Sequence, residues 1–302
     1  MFNNKSTRQI DLHLPTGWNR CTTEELEAIA AAIIQEQQRV DRYHPFDWSR
    51  MKLNVVLAIN SLTPDPSPKG EGSDYQEWMV RRPQDKEPWP ITTGQLVALT
   101  EWLAWIDDEK ASKVIFQFPY PTLDVRCKKE DGRAIIHLQG PPPLLDGYTW
   151  NEYRLLTDWM QAYMRHSNAK NAEGAAQAQR EFLAILFRPA DGCGITVNAT
   201  VFTSFDPVKW QVILFWWSSL MSMLAKKFPK VFKQQPVGKG KRRPQQQDTP
   251  WDFYNRVTAT IQKYIGGLSE QDVNNATYGT ILQQLEMMAD EAAEMEKLKN
   301  KK

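Results

Sequence analysis

The sequence predicts an α+β protein that is mostly helical, with small β elements in an N-terminal and central body and a helical hairpin at the C-terminal end. Long stretches repeat apolar residues every three or four positions, which is the helical period, while two-residue alternation is confined to short segments. Proline and glycine are concentrated between those stretches. With 302 residues, 41% of them hydrophobic, the chain is long and apolar enough to bury a core.

The N-terminal part combines a short strand with a helix. Residues 9–14 alternate polar and apolar side chains, which predicts a half-buried strand that ends at Pro15. Thr22 and Glu25 have the spacing of a capping box, and the apolar residues after them predict a helix from about Thr23 to Arg39. The apolar segment 51–59 is too short for its pattern to distinguish a helix from a strand.

Residues 61–90 are rich in proline and glycine, which predicts a long surface loop without regular structure. Within it, residues 62–72 (LTPDPSPKGEG) resemble the translated form of a dispersed repeat element of bacterial genomes. We therefore expect that deleting residues 62–72 leaves the melting temperature nearly unchanged.

The central part alternates helices with two short strands. Thr92 and Thr93 predict the start of a helix that reaches Ile106, and Asp206 with Pro207 predicts the start of an apolar helix. The further predicted elements are strands at 114–118 and 134–138 and helices at 149–166 and 172–187.

The apolar segment 208–225 is the one stretch that could be mistaken for a membrane span. Lys209, Gln211 and three serines interrupt it, whereas a spanning helix needs about 20 mostly apolar residues. The pattern favours a buried core helix, so no membrane is expected as a partner.

Charge divides the C-terminal third of the chain. Residues 207–247 contain nine basic residues and no acidic one, whereas residues 265–296 contain seven acidic residues and neither Lys nor Arg. These patterns predict three parts: a body at 1–233, a basic flexible linker at 234–248 and an acidic helical hairpin at 249–302. The hairpin is expected to be a separately mobile module that binds protein.

Aromatic and apolar helix faces are the candidate partner-binding surface. Trp216 and Trp217 lie about 100° apart on a helix, so either that helix is buried all round or one ring faces a partner. The candidate partner-binding residues are Trp216, Trp217, Tyr254, Val257, Ile261, Tyr264, Ile281, Leu285 and Met288. The candidate nucleic-acid contacts, through phosphate groups, are Lys239, Lys241, Arg242 and Arg243 in the linker.

No catalytic, metal-binding or cofactor-binding motif is present in the sequence. The four histidines and three cysteines lack ligand spacing, and the glycines form no phosphate-binding loop. With 37 basic and 36 acidic residues, net charge indicates no general affinity for polyanions. We therefore expect no enzyme activity, no metal and no cofactor, and the odd cysteine count favours the cytoplasm.

Several segments together resemble a known group of proteins. LPTGWNRCTTEELEAIA, IFQFPYPTLDVR, LQGPPPLLDGYTWNEYRLLTDWMQAY, FLAILFRP and LFWWSSLMSMLAKKFPKVF resemble, in order, a family of uncharacterised tail-region proteins encoded in bacterial prophages. The C-terminal WDFYNRVTATIQKY and LSEQDVNNATYGTILQQLE are similar in style to the ends of tail assembly chaperones. The resemblance implies a chaperone that holds a tape-measure or tail-tube type client in the host cytoplasm or in association with the virion.

Two other functions remain open at this point. A mobile-element protein could contact nucleic acid through Lys239 to Arg243, and an enzyme could assemble its site only on folding. The sequence identifies neither the client nor the oligomeric state.

Overall fold

The computed structural model describes residues 12–41, 43–65, 77–84, 86–108, 114–129, 132–190, 197–232 and 250–299. The chain divides into two compact units, Met1–Ile115 with Asp206–Phe215 and Phe116–Phe205 with Trp216–Lys302. The described residues form nine α-helices and two small antiparallel sheets. The prediction of a mostly helical α+β protein is confirmed.

The first unit contains three helices and a three-stranded sheet. In chain order the elements are α1 (Thr23–Arg39), α2 (Trp48–Ile59), β1 (Thr63–Asp65), β2 (Glu77–Arg81), β3 (Trp89–Thr92) and α3 (Thr93–Glu101). The sheet order is β1-β2-β3, with both pairs antiparallel. Residues 51–59, ambiguous in sequence, belong to α2.

The predicted capping box at the start of α1 is confirmed. The Thr22 hydroxyl accepts the Glu25 N–H, and Glu25 Oε2 accepts the Thr22 N–H at 2.7 Å. Near the other end of α1, the buried Glu36 carboxylate accepts two hydrogen bonds from the Arg50 guanidinium on α2 and one from the Asp47 N–H. The ion pair therefore joins the first two helices.

The loop predicted over residues 61–90 is wrong where the structure describes it. All three strands of the first sheet begin within that range, and Leu62 and Val80 are buried in a small apolar cluster. Pro64 and Pro90 lie in the edge strands β1 and β3, which is where a sheet tolerates a residue without an N–H. Deleting residues 62–72 would remove β1 and Leu62, so we now expect that deletion to destabilise the protein.

The strand predicted at residues 9–14 is also wrong in its described part, residues 12–14; residues 9–11 lie outside the described residues. Asn60 takes the place of a neighbouring strand. Its side-chain oxygen accepts the His13 N–H at 2.8 Å, and its amide donates to the His13 carbonyl at 3.0 Å. Both backbone groups that a ladder would pair are satisfied by one side chain.

The second unit contains the other sheet and most of the helices. Its strands are β4 (Thr122–Lys129), β5 (Gly132–Gln139) and β6 (Arg188–Pro189), in the order β4-β5-β6. Its helices are α4 (Trp150–Asn168), α5 (Ala172–Leu186), α7 (Pro250–Ile265), α8 (Glu270–Asn275) and α9 (Tyr278–Lys299). Helix α6 (Pro207–Lys227) contributes its residues to Phe215 to the first unit and the rest to the second.

Most predicted central elements are confirmed. Thr92 caps α3, Thr149 caps α4, and Asp206 accepts the Val208 N–H at the start of α6. The strand at 134–138 lies within β5, and α5 ends before Pro189. Helix α3 stops at Glu101, so the last predicted turn to Ile106 is a separate 3-10 helix.

The strand predicted at 114–118 is wrong. Ile115 and Phe118 are buried without joining a ladder, so the apolar residues of this segment serve the core and not a sheet. The strand that does form, β4, follows Pro121. Leu123, Val125 and Cys127 alternate with polar residues in its sequence TLDVRCKK, which is the pattern of a half-buried strand, so periodicity does indicate β4 although it was not among the predicted strands.

The C-terminal part contains three helices where the sequence predicts a two-helix hairpin. The break at Ala276 and Thr277 divides the predicted final helix into α8 and α9. All three C-terminal helices belong to the same compact unit as α4, so the division of the chain does not fall at residue 233. The linker at 234–248 lies outside the described residues.

Candidate protein-binding surface

Six of the nine candidate partner-binding residues are buried within the chain, which corrects their assignment to a surface. Trp216 packs against Phe118 with ring centroids 4.8 Å apart, and Trp217 packs against Phe182 at 5.2 Å. The buried six are Trp216, Trp217, Tyr254, Val257, Ile261 and Ile281. Their apolar faces are already covered, so they form core rather than a binding surface.

The three others reach the surface. Tyr264 is exposed near the end of α7, while Leu285 and Met288 on α9 are half-buried. These three residues therefore mark the part of the C-terminal helices where the core gives way to solvent.

The first turn of α9 is firmly anchored to the rest of its unit. The Trp150 N–H donates to the Ala276 carbonyl at 2.8 Å, and the Tyr278 N–H donates to the Tyr148 carbonyl at 3.0 Å. The Tyr278 ring stacks on Tyr153 at 4.8 Å. Backbone and ring contacts together fix where α9 begins.

Tyr278 also holds a strained turn. Its hydroxyl donates to the carbonyl of Leu144, and burial raises the pKa of this phenol to about 12, which keeps it a donor. Leu144 and Leu145 both have positive φ, 54° and 55°, a conformation that is costly for leucine. The hydrogen bond helps to keep the turn in this conformation.

Helices α7 and α9 run in the same direction. Near their starts, Tyr254 contacts Trp150 at 5.3 Å, and the first residue of α9 stacks on the same region of α4. Near the end of α7, the Tyr264 hydroxyl donates to Glu291 Oε2 at 2.6 Å. Because α7 stops at Ile265, the residues of α9 beyond Glu291 have no neighbour from α7 alongside them.

The apolar stripe of α9 continues beyond the point at which other residues of the chain bury it. Its residues, spaced alternately by four and three, are Ile281, Leu285, Met288, Ala292 and Met295, and we call this stripe the α9 seam. Ile281 is 3% exposed, the next two are half-buried, and Ala292 and Met295 are exposed, Met295 by 60%. An alternation of four and three is the pattern by which one helix packs along another.

Acidic side chains lie along the emerging part of α9, which also carries the exposed Lys297. The Glu286 carboxylate accepts the backbone N–H groups of Lys230 and Val231 at 3.1–3.2 Å, and Asp290 pairs with the Lys230 ammonium. Glu291 accepts the Tyr264 hydroxyl, which raises the pKa of that phenol. Glu294 has no recorded partner among the described residues.

A cleft of about 700 Å³ lies beside the first half of α9. It is lined by the strained turn, by the end of α6 and by polar and apolar residues of α9. Its acidic lining residues are Asp146, Glu286 and Asp290, and Lys227 is its cation. Met287, which is 48% exposed, lines the cleft from α9 on a different face from the seam.

The described residues give little support for metal binding or for nucleophilic catalysis. Within them, no group of three or more His, Cys, Asp or Glu side chains is placed to hold a metal ion. Burial and the nearby Glu25 raise the pKa of the Cys21 thiol to about 12, which makes it a poor nucleophile at neutral pH. The candidate nucleic-acid contacts Lys239, Lys241, Arg242 and Arg243 lie outside the described residues.

No described helix combines the length and the apolar character that crossing a bilayer requires. The interpretation of α6 as a core helix is consistent with the burial of its two adjacent tryptophans.

The sequence indicates the apolar stripe of α9 but not the residue beyond which that stripe is exposed to solvent. It also missed the cleft, because the cleft depends on a turn, a helix end and a third helix that are far apart in sequence. The available signal was the cluster of acids around a continuing apolar stripe. No protein-family model, curated protein or solved structure matches this chain.

Proposed function

We propose that the protein is a non-enzymatic tail-region protein of a phage or prophage, an assembly chaperone that binds a helical client such as the tape-measure protein. The observation that carries the proposal is the α9 seam, which leaves the core and continues into solvent over Ala292 and Met295. An exposed apolar stripe with helical spacing is suited to packing against a second helix. The segments that resemble prophage tail-region proteins supply the biological setting.

The geometry supports a chaperone rather than a permanent subunit interface. From residue 292 to residue 299, α9 extends for about 12 Å, which is a short contact. Small interfaces are typical of transient complexes, and a chaperone must release its client. The proposal assigns no catalytic step, cofactor or metal to the chain, and it places the protein in the bacterial cytoplasm during tail assembly.

The test is client capture by the tagged full chain, co-expressed separately with each protein that the neighbouring genes encode. We expect one helical tail protein to co-purify with the wild type. Met295→Asp should reduce that capture by about tenfold, because it places a charge in the seam.

Met287→Asp is the matched control for this test. It makes the same change on the same helix at a similarly exposed residue, but away from the seam. We expect it to retain the client. Failure of the wild type to capture any tail protein would contradict the proposed function, and equal loss in both variants would contradict the assignment to the seam.

A further inference from the structure

We draw no further inference here: the strongest candidate, the cleft of about 700 Å³ beside the first half of α9, carries nothing beyond its shape, because its carboxylates Glu286 and Asp290 are already bound by Lys230 and Val231 and no other observation on the described residues points to a ligand.

Discussion

Helices α6 and α9 are the two longest helices among the described residues, and they end in opposite ways. In residues 216–227 of α6, Trp216, Trp217, Leu220 and Leu224 are buried, while Met221 and Met223 beside them are half-buried. In residues 290–298 of α9, every side chain that the structure describes is exposed, including Met295 and Leu298. One apolar stripe is covered to its end and the other is covered only in its first half.

The contrast shows what a periodic apolar pattern means. The width of the stripe on α6 explains how both adjacent tryptophans are buried: a face wider than about 100° accommodates neighbouring residues. The α9 seam is equally regular, yet its burial stops where α7 ends. A stripe therefore indicates which face of a helix packs against other residues. The length of the neighbouring helix decides how much of that face is buried within the same chain.

The largest effect is expected at the covered stripe. Trp216→Ala removes a fully buried ring that packs against Phe118, so it should lower the free energy of unfolding by about 3–5 kcal/mol. Denaturant unfolding measures the change. Trp102→Ala is the control, since that ring is 70% exposed, and a large loss there together with a small loss at Trp216 would break the comparison.

A second prediction extends the comparison to carboxylates. Hydrogen bonds and charge from Arg50 lower the pKa of the buried Glu36 from 4.5 to about 2. Its contribution to stability is therefore complete above pH 4.5 and disappears as the pH falls towards 2. Glu36→Gln should lose stability at pH 7 and converge with the wild type near pH 2, measured as melting temperature against pH.

Glu294 on the exposed end of α9 supplies the control for that pH series. Glu294→Gln removes a carboxylate with no recorded partner among the described residues, so the curve should follow the wild type throughout. A Glu36→Gln curve that stays parallel to the wild type down to pH 2 would show that the ion pair does not stabilise the fold.

A third prediction tests the anchor at the start of α9. Tyr278→Phe leaves the stacking ring but removes the donor to the Leu144 carbonyl, which should cost about 1–2 kcal/mol of unfolding free energy. Tyr264→Phe is the matched change, because its acceptor Glu291 remains exposed to water, and it should cost less than about 0.5 kcal/mol. Equal effects at both tyrosines would remove the distinction between the anchored and the free end.

The smallest effect on stability is expected at the free end itself. Met295→Ala should change the unfolding free energy by less than about 0.5 kcal/mol, because the side chain packs against little of its own chain. Met288→Ala, half-buried on the same stripe, should cost more, which sharpens the gradient along α9. A loss at Met295 as large as that at Met288 would indicate that the end of α9 is covered in solution.

Elements with strong local signals were predictable from the sequence. The capping boxes at Thr22, Thr92 and Thr149 identify three helix starts because a side chain and a backbone N–H three residues apart satisfy each other locally. The first sheet was not predictable in the same way. Its edge strands contain prolines, and a strand tolerates proline at the edge of a sheet but not at its centre. Which strand lies at the centre is not a local property of the sequence.

The candidate surface was predictable only in part. The sequence indicated an acidic apolar stripe on the last helix, but it also assigned the same role to residues such as Trp216 and Ile261 that are buried. Composition and spacing are alike for an apolar residue in the core and one at a surface. Only the neighbours that the fold provides distinguish them.

The sequence by itself determined the helix starts at Thr22, Thr92 and Thr149, the mostly helical α+β class and the acidic character of the last helix. These follow from interactions between residues a few positions apart, which need no knowledge of the fold. The tertiary structure alone decided that the C-terminal helices pack with α4 and that the proline-rich segment joins a sheet. It also decided that the α9 seam extends beyond the residues that bury it. Each of these depends on which segments, distant in sequence, come into contact. Burial is decided by those contacts and not by the type of residue alone.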